Sequence, residues 1–458
     1  MAPVVVPAQW QVPPADPESP GTVGSAGRNR YVDLVRLVAI LVVMGGHWLA
    51  TIVVVGDEQP RGRSALAEFG YMRWLTLLLQ VMPMFFLAGG YASAASWPSW
   101  SARGGRWAGW THARYVRLLR PTSWFVSTMA GAVGVATLLG APTSVLAQAG
   151  WGVALQLWFL PVYLLLLVLA VPLLTAWNRA GWFLLAVAIA VVAVVDVLVR
   201  GLDVAGAGCL NYLLAPAAGL VLGFAWHDGA LARRTVQIAL LVGGVLVLLV
   251  LIAGFGYPPW MIGVPGEPPA NTAPPNLALV AYASTQIGLV LLLERPGRRL
   301  LERPRVWAAV LRGNTVIMTM YLWHMVPVLI LASLLAVTGF PTGPGTGDVA
   351  WWGGRVLWIG VLAVILAGLV RLVGRFERPS RPRLGLTGWL PSMVLVACAA
   401  LAGYALSRLA IGGFAPSGHL ATGPLVFYAV GVIALGLAGS FAPPGPPRGR
   451  ADSRRQVP

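Results

Sequence analysis

Arg36 and His47 stand eleven residues apart in one apolar run, YVDLVRLVAILVVMGGHWLATIVVV (31 to 55), with Asp33 one turn ahead of the arginine. Eleven residues is close to three helical turns, so both side chains leave a helix on nearly the same face, about 16 Å apart along its axis. An ionisable residue inside a membrane span is costly and normally faces protein or a wet cavity. A cation near one end of the run and an imidazole nearer its middle therefore mark a working face, the first suited to an anion and the second to proton transfer.

A second histidine lies in a similar place. NTVIMTMYLWHMVPVLILAS (314 to 333) carries His324 about ten residues from one end, near the middle of a span. Spacing alone leaves open whether it is a satisfied structural histidine or a partner in chemistry. Arg114, Arg117 and Arg120 recur every third residue and lie along one side of a helix. They fit either topology determination with lipid headgroup contact, or a row of forked guanidinium groups that holds a polyanionic nucleotide. Gly89 and Gly90, with Ala88, Ala92 and Ser93, make a small-residue face for close approach of a neighbouring helix or a ligand. Gln156, Trp158, Phe159 and Tyr163 form an aromatic belt, and Asp196, Asn211 and Tyr212 are read as solvated or paired surface groups. No combination of His, Cys, Asp and Glu has metal-ligand spacing, so no metal is expected. Cys209 and Cys398 cannot make a disulfide framework and are read as packing residues.

The elements that position these residues are membrane helices. Of 458 residues 57% are hydrophobic and 10% charged, with mean hydropathy +0.75, which sets the chain apart from ordinary soluble domains. Long Leu, Val and Ala runs, without the alternation of barrel strands, predict an all-α polytopic transmembrane bundle of about twelve spans. They are placed at 32–55, 73–95, 115–140, 154–176, 181–199, 209–226, 235–256, 276–293, 314–338, 351–372, 391–410 and 423–441. Residues 1–30 and 442–458 are read as disordered tails. The net charge of +17 is carried by arginine alone, and with the N-terminus inside, 25 arginines fall in inside segments against 6 outside. That asymmetry predicts a multi-pass protein of the cell membrane with both termini cytoplasmic, and it accounts for the basic charge without a nucleic-acid partner. The Pro-rich connection 257–275 is expected outside, as a stiff cover over an outward cavity.

In this order the motifs resemble the integral-membrane acyltransferase 3 family, which includes the O-antigen acetyltransferases. Asp33, Arg36 and His47 resemble its opening pattern, MPMFFLAGGY (82 to 91) its Phe-Phe and small-residue segment, and Arg114 with Arg117 its R-x-x-R motif. LWFLPVYLL (157 to 165), YLWHM (321 to 325) and RFERP (375 to 379) are similar to its later segments. Gly89 stands where the family often has Ser, and Gln156 where a His is common. The resemblance implies a ten-helix acyltransferase domain over 31–385, with two additional helices in 386–441. It also implies transfer of an acyl group, usually acetyl, from cytoplasmic acyl-CoA as donor substrate to a hydroxyl on an extracytoplasmic carbohydrate or glycolipid acceptor, without a tightly bound cofactor. On that reading Arg36, Arg114 and Arg117 hold the CoA phosphates, Asp33 orients Arg36, His47 is the base, and His324 assists. The alternative is a transporter or flippase that uses His47 and His324 in proton coupling. Neither an inverted repeat nor a broken-helix signal is visible to support it.

Overall fold

The computed structural model describes residues 29–55, 61–264, 267, 269–339, 347–374 and 389–440. The first helix, α1 (Arg30–Ala50), starts at Asn29, whose side chain accepts from the Tyr31 N–H at 3.0 Å. Asp33 sits in its first turn, where the free N–H groups favour an anion. Although apolar sequence continues to Val55, α1 stops at Ala50. Thr51 turns back through its N–H and Oγ1, both donating to His47 O, and the β-branched run then forms β1 (Thr51–Val54). This strand pairs antiparallel with β2 (Arg61–Ser64). β-branched side chains are restricted in a helix and pack well on a strand, so the span ends where they cluster.

Short helices α2 (Ala65–Glu68) and α3 (Met72–Leu79) lead into α4 (Met82–Ala102), α5 (Trp107–Leu138), α6 (Thr143–Ala154) and α7 (Phe159–Ala180). Then come α8 (Trp182–Arg200), α9 (Asn211–His227), α10 (Arg234–Phe255), α11 (Leu277–Leu292) and α12 (Glu294–Leu301). The chain continues through α13 (Pro304–Thr315), α14 (Ile317–Trp323), α15 (Val326–Thr338), α16 (Val349–Val373), α17 (Trp389–Gly412) and α18 (Thr422–Ser440). Each of the twelve expected segments contains helix. Among the described residues nine stretches are long and apolar enough to cross a membrane, or ten if α11 and α12, bent by 49°, count as one. α18 has a shorter apolar stretch, and α5, with Arg114, Arg117 and Arg120 in its first half, is not among the nine. The architecture is an all-α polytopic bundle.

Close packing sets the frame on one side of α1. A Cβ at Gly90 of α4 would lie 2.0 Å from Leu220 O of α9, and one at Gly223 would lie 2.2 Å from Leu87 O. The small-residue face at Gly90 is therefore a helix crossing, where the two backbones touch.

Two expected spans are interrupted. The chain changes from α6 to α7 through a 3₁₀ turn, Leu155–Trp158, and α14 gives way to α15 at His324 and Met325. Pro327 at the start of α15 has no N–H for the Trp323 carbonyl, which accounts for the second break. Unlike the unbroken helix expected over 314–338, this break places free backbone carbonyls beside His324.

α17 lies against α6, α7 and the 3₁₀ turn, while α18 packs on α17 and α5. Tyr428 and Ser123 hydroxyls meet at 3.0 Å, the Phe414 N–H donates to Gly150 O at 3.2 Å, and His112 donates to Leu435 O at 3.2 Å. Cys398 is buried as expected, but Cys209 is exposed.

Candidate active site

The two interruptions and the end of α1 converge. His47, in the last turn of α1, places Nδ1 2.8 Å from Nε2 of His324, and the two rings are 27° from parallel with centroids 5.0 Å apart. His324 is wholly buried and His47 partly so. His324 Nδ1 lies 2.6 Å from Tyr321 O. A carbonyl only accepts, so Nδ1 of His324 carries the proton, and in a neutral ring its Nε2 must accept. His47 Nδ1–H is then the donor across the 2.8 Å contact, which leaves the lone pair of a neutral His47 on Nε2. His47 Nε2 has no hydrogen-bond partner among the described residues. The chain of bonds has a direction, and it ends on an available basic nitrogen.

The backbone around the pair is held from several sides. Trp48 Nε1 donates to His324 O at 2.6 Å. Gln156 Nε2 donates to Leu322 O at 2.9 Å and Val153 O at 2.6 Å, and Tyr321 OH donates back to Gln156 O. Gln156 thus ties the 3₁₀ turn to the end of α14 and leaves its own Oε1 buried without a partner. Phe159 stands 6.0 Å from Tyr321, and Tyr163 packs on Phe159 at 5.3 Å, so the aromatic belt forms a wall behind the histidines.

Arg36 lies in the first half of α1, and Arg114, Arg117 and Arg120 lie in the first half of α5. Arg114 is half-buried, donates to Ser96 Oγ of α4, and has its guanidinium 3.5 Å from the Trp110 ring centre. It makes no ion pair among the described residues. Arg117 and Arg120 are exposed. Arg36 is half-buried and makes neither hydrogen bond nor ion pair among the described residues, so the expected Asp33 to Arg36 pair does not form. Asp33 is buried instead, and its carbonyl accepts from Asn314 Nδ2 at 2.9 Å. The RFERP segment lies outside the described residues.

Asp196 and Asn211, read as surface groups, belong to a buried cluster. The Asp196 carboxylate accepts from Asn211 Nδ2 at 3.0 Å, Tyr257 OH at 2.8 Å and the Leu277 N–H at 2.7 Å. Burial, with the hydrogen bond to this carboxylate, pushes the Tyr257 phenol above its usual range. The cluster pins both ends of the Pro-rich connection, and Thr272 and Pro275 close an apolar cavity also lined by Phe86, Trp158, Tyr212 and Pro216. Neither histidine lines that cavity.

Three residues in this region escaped sequence reading: Trp48, Tyr321 as a backbone acceptor, and Arg355. The charge count treats Arg355 as an outside arginine, yet it is buried within α16 with its Nη2 2.8 Å from Leu49 O. The signal available was an arginine in the first turns of an apolar helix, set among Trp351, Trp352 and Trp358.

A bundle of apolar helices defines a multi-pass membrane protein, and within it His47 and His324 meet where α14 gives way to α15. The chain matches the family model described as an acyltransferase domain over residues 29–374. It belongs to that family, acyltransferase 3, and is a membrane acyltransferase. No curated protein and no solved structure matches it. The helices α17 and α18 lie beyond the matched residues.

Proposed function

We propose that the protein is an O-acyltransferase that moves an acyl group, in the simplest case acetyl, from cytoplasmic acyl-CoA to a hydroxyl of an extracytoplasmic carbohydrate or related acceptor. The observation that carries this reading is the directed hydrogen-bond chain from Tyr321 O through His324 to His47. It leaves one neutral imidazole nitrogen, His47 Nε2, without a partner. That atom takes the acceptor's hydroxyl proton as the oxygen attacks the thioester carbonyl carbon. Collapse of the tetrahedral intermediate breaks the carbon–sulfur bond, and the same proton passes from His47 Nε2 to the departing thiolate. The products are an ester and free CoA. His324 holds the tautomer and shares the charge that His47 gains.

The arginines supply the second half of the reading. Arg36 lies about 16 Å along α1 from His47, a length comparable with an extended pantetheine arm. Arg36 and Arg114 have unused donors, and Trp110 Nε1 and Thr111 Oγ1 beside Arg114 are buried without partners. Phosphate groups would complete these hydrogen bonds, with Arg117 contributing from the exposed face. The arginine asymmetry supports a cytoplasmic location for this end, where acyl-CoA is available.

The breaks at Gln156 and His324 are also features that a proton-coupled transporter would use. One variant separates the two readings. His47→Ala is expected to abolish acylation of cell-envelope glycans, read as loss of the added acyl mass by mass spectrometry. An unchanged acyl content together with stalled export of a glycan would overturn the transferase reading.

A further inference from the structure

A helix leaves its last four carbonyls without intrahelical partners, and these carry the negative end of its dipole. His47 and Trp48 belong to that last turn of α1, and both are tied to His324 by side-chain hydrogen bonds. Whatever holds the last turn therefore governs how the two imidazoles meet.

Arg355 meets that end of α1. It lies in the second turn of α16, is 7% exposed, and extends Nη2 to Leu49 O at 2.8 Å, to Thr51 O, and to Trp48 O at 3.4 Å. Its guanidinium sits between the rings of Trp351 and Trp358, at 5.1 and 5.6 Å from their centres. Trp358 Nε1 donates to the same Trp48 carbonyl at 3.2 Å. No carboxylate pairs with Arg355 among the described residues, and its Nε is buried without a partner. Burying a cation with carbonyls as its only hydrogen-bonding partners is expensive. A lipid-facing arginine near a helix end would direct its head to the interface instead.

We infer that Arg355 is a positioning residue for the histidine pair: its guanidinium fixes the end of α1, and with it His47 and Trp48, against the break that carries His324. The inference rests on the reading of His47 as the base. One terminal nitrogen, Nη2, reaches the carbonyls of Trp48, Leu49 and Thr51, where the chain leaves the helix for β1, and the two tryptophan rings flank the planar group that carries it. A lysine keeps the charge and loses the planar group that stacks against Trp351 and Trp358.

The test uses the full chain in lipid nanodiscs, with acetyl-CoA as donor, a cell-envelope glycan extract as acceptor, and release of free CoA thiol as the readout. Arg355→Met is expected to lower kcat by about 100-fold, the scale on which a small misplacement of a catalytic group acts. The KM for acetyl-CoA stays unchanged, because Arg355 touches none of Arg36, Arg114 and Arg117, the residues proposed to hold the donor. Arg355→Lys recovers part of kcat, and Trp358→Phe gives a smaller loss of the same kind. A folded Arg355→Met protein with wild-type kcat overturns the inference, as does a loss in which KM for acetyl-CoA rises in step with kcat falling. If Arg355→Met does not yield a monodisperse protein, Arg355→Lys and Trp358→Phe decide, and wild-type kcat in both overturns it. His47→Ala is run beside them: activity that persists there removes the base reading itself. Loss of activity in His47→Ala with wild-type kcat in the Arg355 and Trp358 variants removes only the positioning role.

Discussion

The two ends of α1 differ in how fully their polar groups are used. At the His47 end both imidazoles, the Trp48 indole and the carbonyls of residues 48, 49 and 51 all have partners, and one imidazole nitrogen remains free. Toward the other end Arg36 has no partner among the described residues, and on α5 Arg114 relies on a hydroxyl and an aromatic face. The first end is preorganised, with geometry that does not await a ligand. The second has donors in excess of its acceptors, as a surface completed by an anion would have. On the proposed reading, this contrast divides the two tasks of a transferase: chemistry at the rigid end and donor capture where charge is spare.

Substitutions can break this comparison. The largest effect is expected from His47→Ala, a fall in kcat of about 10³-fold or more, since it removes the imidazole nitrogen that the His324 contact leaves available; thiol release from acetyl-CoA by purified protein measures it. His324→Ala comes next. It removes the acceptor for His47 Nδ1–H and frees the ring to adopt the other tautomer, and a loss of about 10² to 10³ in kcat with unchanged donor KM is expected. Equal KM and kcat changes in this variant would place His324 in substrate binding instead. At the other end, Arg114→Ala with Arg117→Ala should raise the KM for acetyl-CoA by about 10 to 100-fold and spare kcat, as two lost charge-assisted contacts imply. If acetyl-CoA affinity does not change in equilibrium binding, these arginines serve topology alone. The smallest effect concerns the frame that supports both ends. Gly90→Ala forces α4 away from Leu220 O and is expected to destabilise the fold by about 1 to 3 kcal/mol, read as a lower melting temperature in detergent with kcat per folded molecule retained.

The bundle was legible because a span declares itself through its apolar length, and helix occurs in every expected segment. Its interruptions were not. TIVV at 51–54 is as apolar as the α1 helix before it, and only its β-branching distinguishes the strand. LQLW at 155–158 and the stretch around His324 likewise have the composition of the helices they divide, so hydropathy passes over them. The histidines and arginines could be picked out as costly ionisable groups, but the contact of His47 with His324 joins positions 277 apart and depends on how α1 packs beside α14. Arg355 was hidden for a different reason. A charge count sums arginines over loops and cannot distinguish one that faces lipid headgroups from one that turns inward to a helix end.

The position of α17 bears on when this enzyme becomes complete. It covers α6, α7 and the turn that holds Gln156, and Phe414 just beyond it packs 6.0 Å from Phe125, which itself stands 5.6 Å from Trp323. These covering residues follow the acyltransferase match in the chain and leave the ribosome after all the catalytic candidates have been made. During biosynthesis the cover over α6, α7 and the Gln156 turn is therefore built last, and the nascent protein carries His47 and His324 through the insertion machinery before that cover has closed.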